Sequence, residues 1–220
     1  MKVIAHIESD FTTKFGVPRQ SGVVQELTAR IVFEPDYRVP EAFRGLEGFS
    51  HIWLIWSFSE AVRDSWSPTV RPPRLGGNQR MGVFATRSPY RPNAIGLSSV
   101  RLLKVELNTP EGPVLTVAGA DLMNGTPIFD IKPYLPYTDA HPEATGGFTD
   151  STWNRLEVVI PEAIEKKIPQ GKRSALREVL ALDPRPHYQK DPDRVYGMEF
   201  GGMEVRFQVS GTLLTVTALS

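Results

Sequence analysis

Apolar residues along this chain come in short runs, and Gly, Pro, Asn or Asp closes almost every run. The segments 2–8, 22–33, 51–58, 81–86, 98–107, 113–121 and 127–132 are rich in β-branched and aromatic residues, which predicts strands. Segment 51–58 is nearly all apolar and predicts a strand with neighbours on both sides. Pro40 to Leu46 predicts a single helical turn with a proline start. Many short strands without intervening helices predict a barrel or sandwich rather than βαβ units. After about Pro142 the pattern changes. Residues 143–150 predict a linker and 155–160 a strand. Residues 172–182 carry Leu176, Val179, Leu180 and Leu182 at near-helical spacing and predict a helix, ended by Asp183-Pro184. Segments 195–200, 203–209 and 213–219 predict a meander with tight turns at Gly201-Gly202 and Ser210-Gly211. The expected fold is mainly β: an antiparallel β-barrel over 1–142, then a smaller α+β domain over 143–220.

Composition narrows the chemistry. The 220 residues include no cysteine, so disulfides, thiolate zinc sites and cysteine nucleophiles are excluded. No apolar run reaches membrane length and the start is too short for a signal peptide, which predicts a cytoplasmic protein. The four histidines are scattered, so no metal site is expected. No strand is followed by Gly-x-Gly-x-x-Gly, and there is neither a P-loop nor a Gly-x-Ser-x-Gly elbow. The formal net charge is zero, which argues against an indiscriminate polycation. Resolved along the chain, however, residues 65–104 contain no carboxylate and seven cations: Arg71, Arg74, Arg80, Arg87, Arg91, Arg101 and Lys104. Trp66, Phe84 and Tyr90 sit among them. Arginine suits forked phosphate contacts and stacking, although carboxylates from elsewhere in the fold are an equally open destination for these charges.

Two further segments stand out. Between Asp121 and Tyr134, Asn124-Gly125 is a hairpin-type turn signal between strand-like runs, and a hairpin there would let Asp121 and Asp130 face one site. A plain hairpin with capping aspartates is the other reading. Phe15 to Gly22 is a polar, glycine-flanked loop that includes Arg19-Gln20, a surface loop or a ligand contact.

The strings Arg71-Pro72-Pro73-Arg74-Leu75-Gly76-Gly77-Asn78, Arg80 to Ser88 (RMGVFATRS) and Arg91-Pro92-Asn93 resemble the TsaA-like family, in its bacterial TrmO branch. Val17-Pro18-Arg19-Gln20, Asp130 to Pro136 (DIKPYLP) and Asp183-Pro184-Arg185-Pro186 extend the resemblance over nearly the whole chain. It implies a β-barrel, homodimeric, S-adenosylmethionine-dependent tRNA methyltransferase. The expected substrate is N6-threonylcarbamoyladenosine at position 37, in the anticodon arm, methylated at N6.

The resemblance implies a methyl-donor site at Pro18, Arg19, Gln20, Ser59, Glu60, Arg87, Leu97, Asp121, Leu122, Met123 and Asn124. The family pattern leads one to expect Asp-Gly where this chain has Asn124-Gly125. A ureido nitrogen must lose its proton near transfer, so an acceptor is expected: Asp130 first, with Tyr134 as an orienting hydroxyl. Arg71, Arg74 and Arg80 are expected on phosphates, Arg91 on the substrate's threonyl carboxylate, and Lys132 and Arg185 elsewhere on the substrate side. Two alternatives stand beside this reading: a non-catalytic RNA-binding barrel, and a same-fold methyltransferase acting on a small acceptor.

Overall fold

The computed structural model describes residues 1–62, 64–150, 155–186 and 191–220; His187 lies outside them. In chain order the strands are β1 (Ala5–Glu8), β2 (Thr28–Phe33), β3 (His51–Ser57), β4 (Thr69–Val70), β5 (Met81–Gly82), β6 (Ile95–Thr109), β7 (Gly112–Ala118), β8 (Pro127–Pro133), β9 (Glu157–Val159), β10 (Tyr196–Phe200), β11 (Met203–Ser210) and β12 (Leu213–Leu219). The α-helices are α1 (Pro136–Asp139), α2 (Glu162–Glu165) and α3 (Gln170–Ala181). The expected helical turn near Pro40 is a 3-10 turn over Pro40–Phe43.

Six strands close an antiparallel barrel in the order β1-β2-β7-β6-β3-β8. Strand β3 has neighbours on both sides, as its apolar run predicts, but its burial alternates. Ile52, Leu54 and Trp56 point inward to join Ile7, Ile31, Val100, Leu115, Val117, Leu122 and Ile128 in the barrel core. His51, Trp53 and Ile55 therefore lie on the outer face.

A second sheet, β10-β11-β12-β9, packs against α3 around Leu176, Leu180, Phe200, Val205, Phe207 and Leu214. The two predicted glycine turns join β10 to β11 and β11 to β12, with Gly201, Gly202 and Gly211 all at positive φ, where glycine carries no Cβ penalty. The meander gains a fourth strand, since β9 runs parallel to β12. Phe11, Val24 and Leu27 also belong to this second core. The loop between β1 and β2 thus leaves the barrel, buries its apolar residues against the second sheet, and returns.

Two expected elements differ. Segment 81–86 is not a full strand: only Met81–Gly82 pairs, with Thr69–Val70, and Val83–Ala85 is a 3-10 turn whose Val83 N–H bonds to Pro68 O at 3.0 Å. Asn124-Gly125 does not close a hairpin, because β7 pairs with β2 and β6 while β8 pairs with β1 and β3. The connection instead crosses the barrel end, and its turn is fixed by Gly125 N–H to Ile7 O at 2.8 Å and Asn124 N–H to Phe11 O at 2.7 Å.

Candidate functional site at the barrel mouth

Antiparallel alternation sends three connections to the same end of the barrel: residues 9–27, 58–94 and 119–126. They carry most of the expected donor residues. The necks of these loops are pinned by backbone hydrogen bonds. Gly22 N–H donates to Gly119 O at 2.8 Å, Gly119 N–H to Leu27 O at 2.8 Å, and Phe58 N–H to Ala94 O at 2.9 Å.

The three loops converge on one carboxylate. Trp56 Nε1 donates to Ser98 Oγ at 2.9 Å, and Ser98 Oγ donates to Asp121 Oδ1 at 2.6 Å. Ser98 is fully buried. The backbone N–H of Ser21 also donates to Asp121, and the Arg87 guanidinium attracts it. Arg87 in turn donates to Gln20 Oε1. Burial pushes the Asp121 carboxyl above the ordinary carboxylate range; the Ser98 hydrogen bond, backbone amides and Arg87 oppose that rise without cancelling it. Trp56 can lie flat in the wall because β6 has Gly96 opposite it: a Cβ there would sit 2.2 Å from the indole.

Other expected donor residues divide by what they can present. Pro18 is buried, while Arg19 is solvent-exposed as a residue. Partial desolvation still pulls the Arg19 guanidinium below its ordinary value, against the attraction of Asp183. Leu122 is 1 % exposed and spends its side chain in the barrel core, so only its backbone can meet a ligand. Asn124 Oδ1 accepts the Ser9 N–H at 3.1 Å, and Ser9 Oγ donates to Leu122 O at 2.9 Å. The Asn side chain therefore ties two loops together through an oxygen, an acceptor that aspartate would also provide. Ser59 and Glu60 are exposed at the start of the 58–94 excursion, and Met123 is half-buried.

Asp130 does not face Asp121 across a hairpin. It pairs with Ile55, which pairs with Leu97, and this places all three side chains on the outer wall. There Asp130 accepts from Lys132 Nζ at 3.0 Å and from the Ile131 N–H at 2.9 Å. Tyr134 follows four residues later, roughly 13 Å along the strand direction. It packs on His51 and Trp53 at the far end of the barrel. One chain thus holds Asp121, Asp130 and Tyr134 at three separate places.

The cationic block stays largely exposed. Lys104 pairs with Glu106 at 2.7 Å, and Arg91 Nη1 donates to Thr86 O at 3.1 Å. Among the described residues, Arg71, Arg80 and Arg101 make no ion pair within the chain. Arg74 is half-buried. Arg185 is different: it forks onto Asp183 at 2.8 and 2.9 Å, with its side chain 12 % exposed. Asp183 holds a left-handed φ of 53°. Among the described residues no group of His, Asp or Glu is arranged to hold a metal ion, and no helix is long and apolar enough to cross a membrane.

Ser98, Ser21, Trp56 and Gly96 were absent from the sequence-derived site. The available signal was the strand alternation of β6, which places Gly96 and Ser98 at inward positions where apolar residues are the rule.

Comparison with known proteins finds relatives over nearly the whole chain. The model of the tRNA-methyltransferase O N-terminal domain matches residues 6–140, and that of the TrmO C-terminal domain matches residues 154–220. The chain is 41% identical over 226 residues to the tRNA (adenine(37)-N6)-methyltransferase of Escherichia coli K12, covering 98% of this chain and 95% of that protein. It is 39% identical over 212 residues to the putative S-adenosylmethionine-dependent methyltransferase RcsF of Pseudomonas aeruginosa, covering 93% and 90%. A crystal structure of TrmO from Pseudomonas aeruginosa superposes with a TM-score of 0.81 at 30% identity, covering 100% of this chain and 96% of that one.

The partly desolvated Asp121 carboxyl has a stability consequence. With a carboxyl value raised in the folded state, the fold binds the proton more tightly than the unfolded chain, so ionised Asp121 costs stability above that raised value. Asp121→Asn should melt about 1–4 °C above wild type at pH 7, a range typical of one moderate substitution in a chain this long. Thermal unfolding from pH 4 to 8 should show the gap closing as the pH falls through the raised carboxyl value. A gap independent of pH would remove Asp121 as its source.

Proposed function

The chain belongs to the TrmO family of tRNA (adenine(37)-N6)-methyltransferases, and on that premise we propose that it transfers a methyl group from S-adenosylmethionine to N6 of N6-threonylcarbamoyladenosine at position 37. The observation that carries the reading is the convergence of three loops on the Asp121 carboxylate, one of them an excursion with five arginines and no carboxylate over residues 65–94.

The mouth residues fit the donor. A carboxylate there suits an ammonium or ribose hydroxyls, and Gln20 and the loop amides suit a neutral base edge. Bound in the mouth, S-adenosylmethionine supplies a sulfonium methyl with a neutral leaving group, so the protein's contribution is alignment. Asp121 orients the donor. Pro18, Arg19 and Gln20 form one wall, with Arg87 bracing Gln20. Leu122 and Met123 present backbone, Asn124 fixes the loop through Ser9, and Ser59 and Glu60 form the rim.

Asp130 is the proposed proton acceptor for N6, with Lys132 beside it holding the charge. Because Asp130 and Leu97 lie on the outer wall and not in the mouth, we propose a homodimer in which this wall lies against the second subunit's mouth. Leu97, 53% exposed beside Ile55, supports that arrangement, and Tyr134 then orients the substrate from the same wall. Arg71, Arg74 and Arg80 contact phosphates of the anticodon arm, and Arg91 the threonyl carboxylate. Arg185 acts through Asp183, whose charge faces Arg19. We take residues 1–142 as the donor-binding domain and 143–220 as its support, in a cytoplasmic protein.

Mass spectrometry of tRNA nucleosides from cells with and without the protein tests the reaction: the N6-methylated threonylcarbamoyl nucleoside should disappear in its absence, and its persistence would refute the assignment. Asp130→Asn should lower kcat by about a hundredfold or more while donor affinity by calorimetry stays within twofold of wild type. Equal loss of both would make Asp130 a binding or folding residue.

A further inference from the structure

The excursion between β3 and β6 contains a feature that neither the fold nor the donor site uses. Strands β4 and β5 form a two-rung ladder, Thr69 with Gly82 and Val70 with Met81. Just beyond the ladder, Val83 is 1 % exposed and anchors the turn, while the next residue, Phe84, is 73% exposed. Trp66, on the other arm, is 47% exposed. Their rings lie 5.9 Å apart at 25°, stacked on each other with much of Phe84 open to water. Two large aromatic side chains held together at the surface by a buried neighbour mark a contact surface rather than a packing remnant.

The surroundings say what kind of partner fits. Arg71 and Arg80 flank the ladder on its two arms, both exposed and without an ion pair among the described residues. The nearest carboxylate in sequence is Asp64, and none follows until Glu106. A planar π surface flanked by the exposed Arg71 and Arg80 complements an unpaired nucleobase with its phosphates. The location is also constrained. Phe84 is three residues from Arg87, which reaches Gln20 at the barrel mouth, and three residues span at most about 11 Å.

We infer that Trp66 and Phe84 form a stacking platform for an unpaired base of the anticodon loop, one or two nucleotides from the adenosine being modified, with Arg71 and Arg80 on the adjoining phosphates. The inference rests on the proposed tRNA substrate and adds the element that splays the loop. Stacking accepts any base, so the platform supplies affinity and geometry while the mouth selects the modified adenosine.

The test measures binding of a fluorescent anticodon-arm RNA hairpin to the full-length protein at several salt concentrations. Phe84→Ala should weaken binding about tenfold, and Phe84→Leu nearly as much, while Phe84→Trp stays close to wild type. The slope of log Kd against log salt should be unchanged in all three. Arg71→Ala, in contrast, should flatten it by about one counterion. Full affinity in Phe84→Leu would show a simple apolar contact and overturn the platform, as would full affinity in Phe84→Ala. A changed oligomeric state of Phe84→Ala by sedimentation would assign the aromatics to a subunit contact instead. Loss of binding to phosphatidylserine vesicles with RNA binding intact would assign them to a membrane surface; either result overturns the inference. If wild type binds the hairpin and the Phe84 variants bind equally, the platform alone falls. If wild type does not bind it, the tRNA reading falls with the platform.

Discussion

A half-buried carboxylate is costly unless hydrogen bonds and a counter-charge offset its lost hydration, and Asp121 draws these from strand β6 and from two of the loops around it. Ser98, on the strand that follows the 58–94 excursion, supplies a hydroxyl, and Arg87 within that excursion supplies the counter-charge. Ser21 on the 9–27 loop supplies an amide. Asp121 itself sits on the 119–126 crossing. Displacing the 9–27 or the 58–94 loop would take one of these partners from Asp121, which couples the loops at the mouth. The wall beneath it depends on the same arrangement: Trp56 needs both the Ser98 hydroxyl and the missing side chain of Gly96.

The 9–27 loop is held from the far side as well. Phe11 meets Phe200 edge to face at 5.6 Å, Lys172 pairs with Asp10, and Gly201 N–H donates to Asp10 O at 2.8 Å. Gly16 lies so close to Met198 that a Cβ would overlap its sulfur at 2.1 Å, and its φ is +91°. The second sheet therefore shapes the loop that carries Pro18, Arg19 and Gln20. This gives Asp183 and Arg185 a structural logic. Arg185 forks onto Asp183, which holds a left-handed φ, and the Asp183 carboxylate attracts Arg19. The small sheet and helix α3 reach the proposed donor site through the 9–27 loop that packs against them.

Local pattern made the architecture legible. The strand runs, helix α3 and the two glycine turns of the second sheet depend on period and turn chemistry within a few residues, and they appear where the pattern places them. The segments that differ depend on who pairs with whom. Asn124-Gly125 is a good turn dipeptide, but the turn serves a crossing between strands that are not neighbours, because β1 and β2 lie between β7 and β8 in the barrel order. The same fact separates Asp121 from Asp130: with no hairpin between them, one sits at the mouth and the other on the outer wall beside Ile55. Residues 81–86 have the composition of a strand but no partner beyond two rungs. The zero net charge was informative only once resolved by position. The carboxylates that balance the cationic block lie elsewhere in the chain, and several of its arginines remain open to solvent.

The account stands on the claim that the three-loop mouth at Asp121 is where the donor binds. Toward the opposite end of the barrel, a cavity of about 270 Å³ lined by Phe33, Tyr37, Phe43, Leu46 and also Asp130 offers the obvious competing place. Amide hydrogen exchange with and without S-adenosylmethionine separates the two directly. The account predicts slowed exchange in residues 18–22, 96–98 and 119–125, with residues 36–46 unchanged. Protection confined to residues 36–46, with the mouth unaffected, would contradict it.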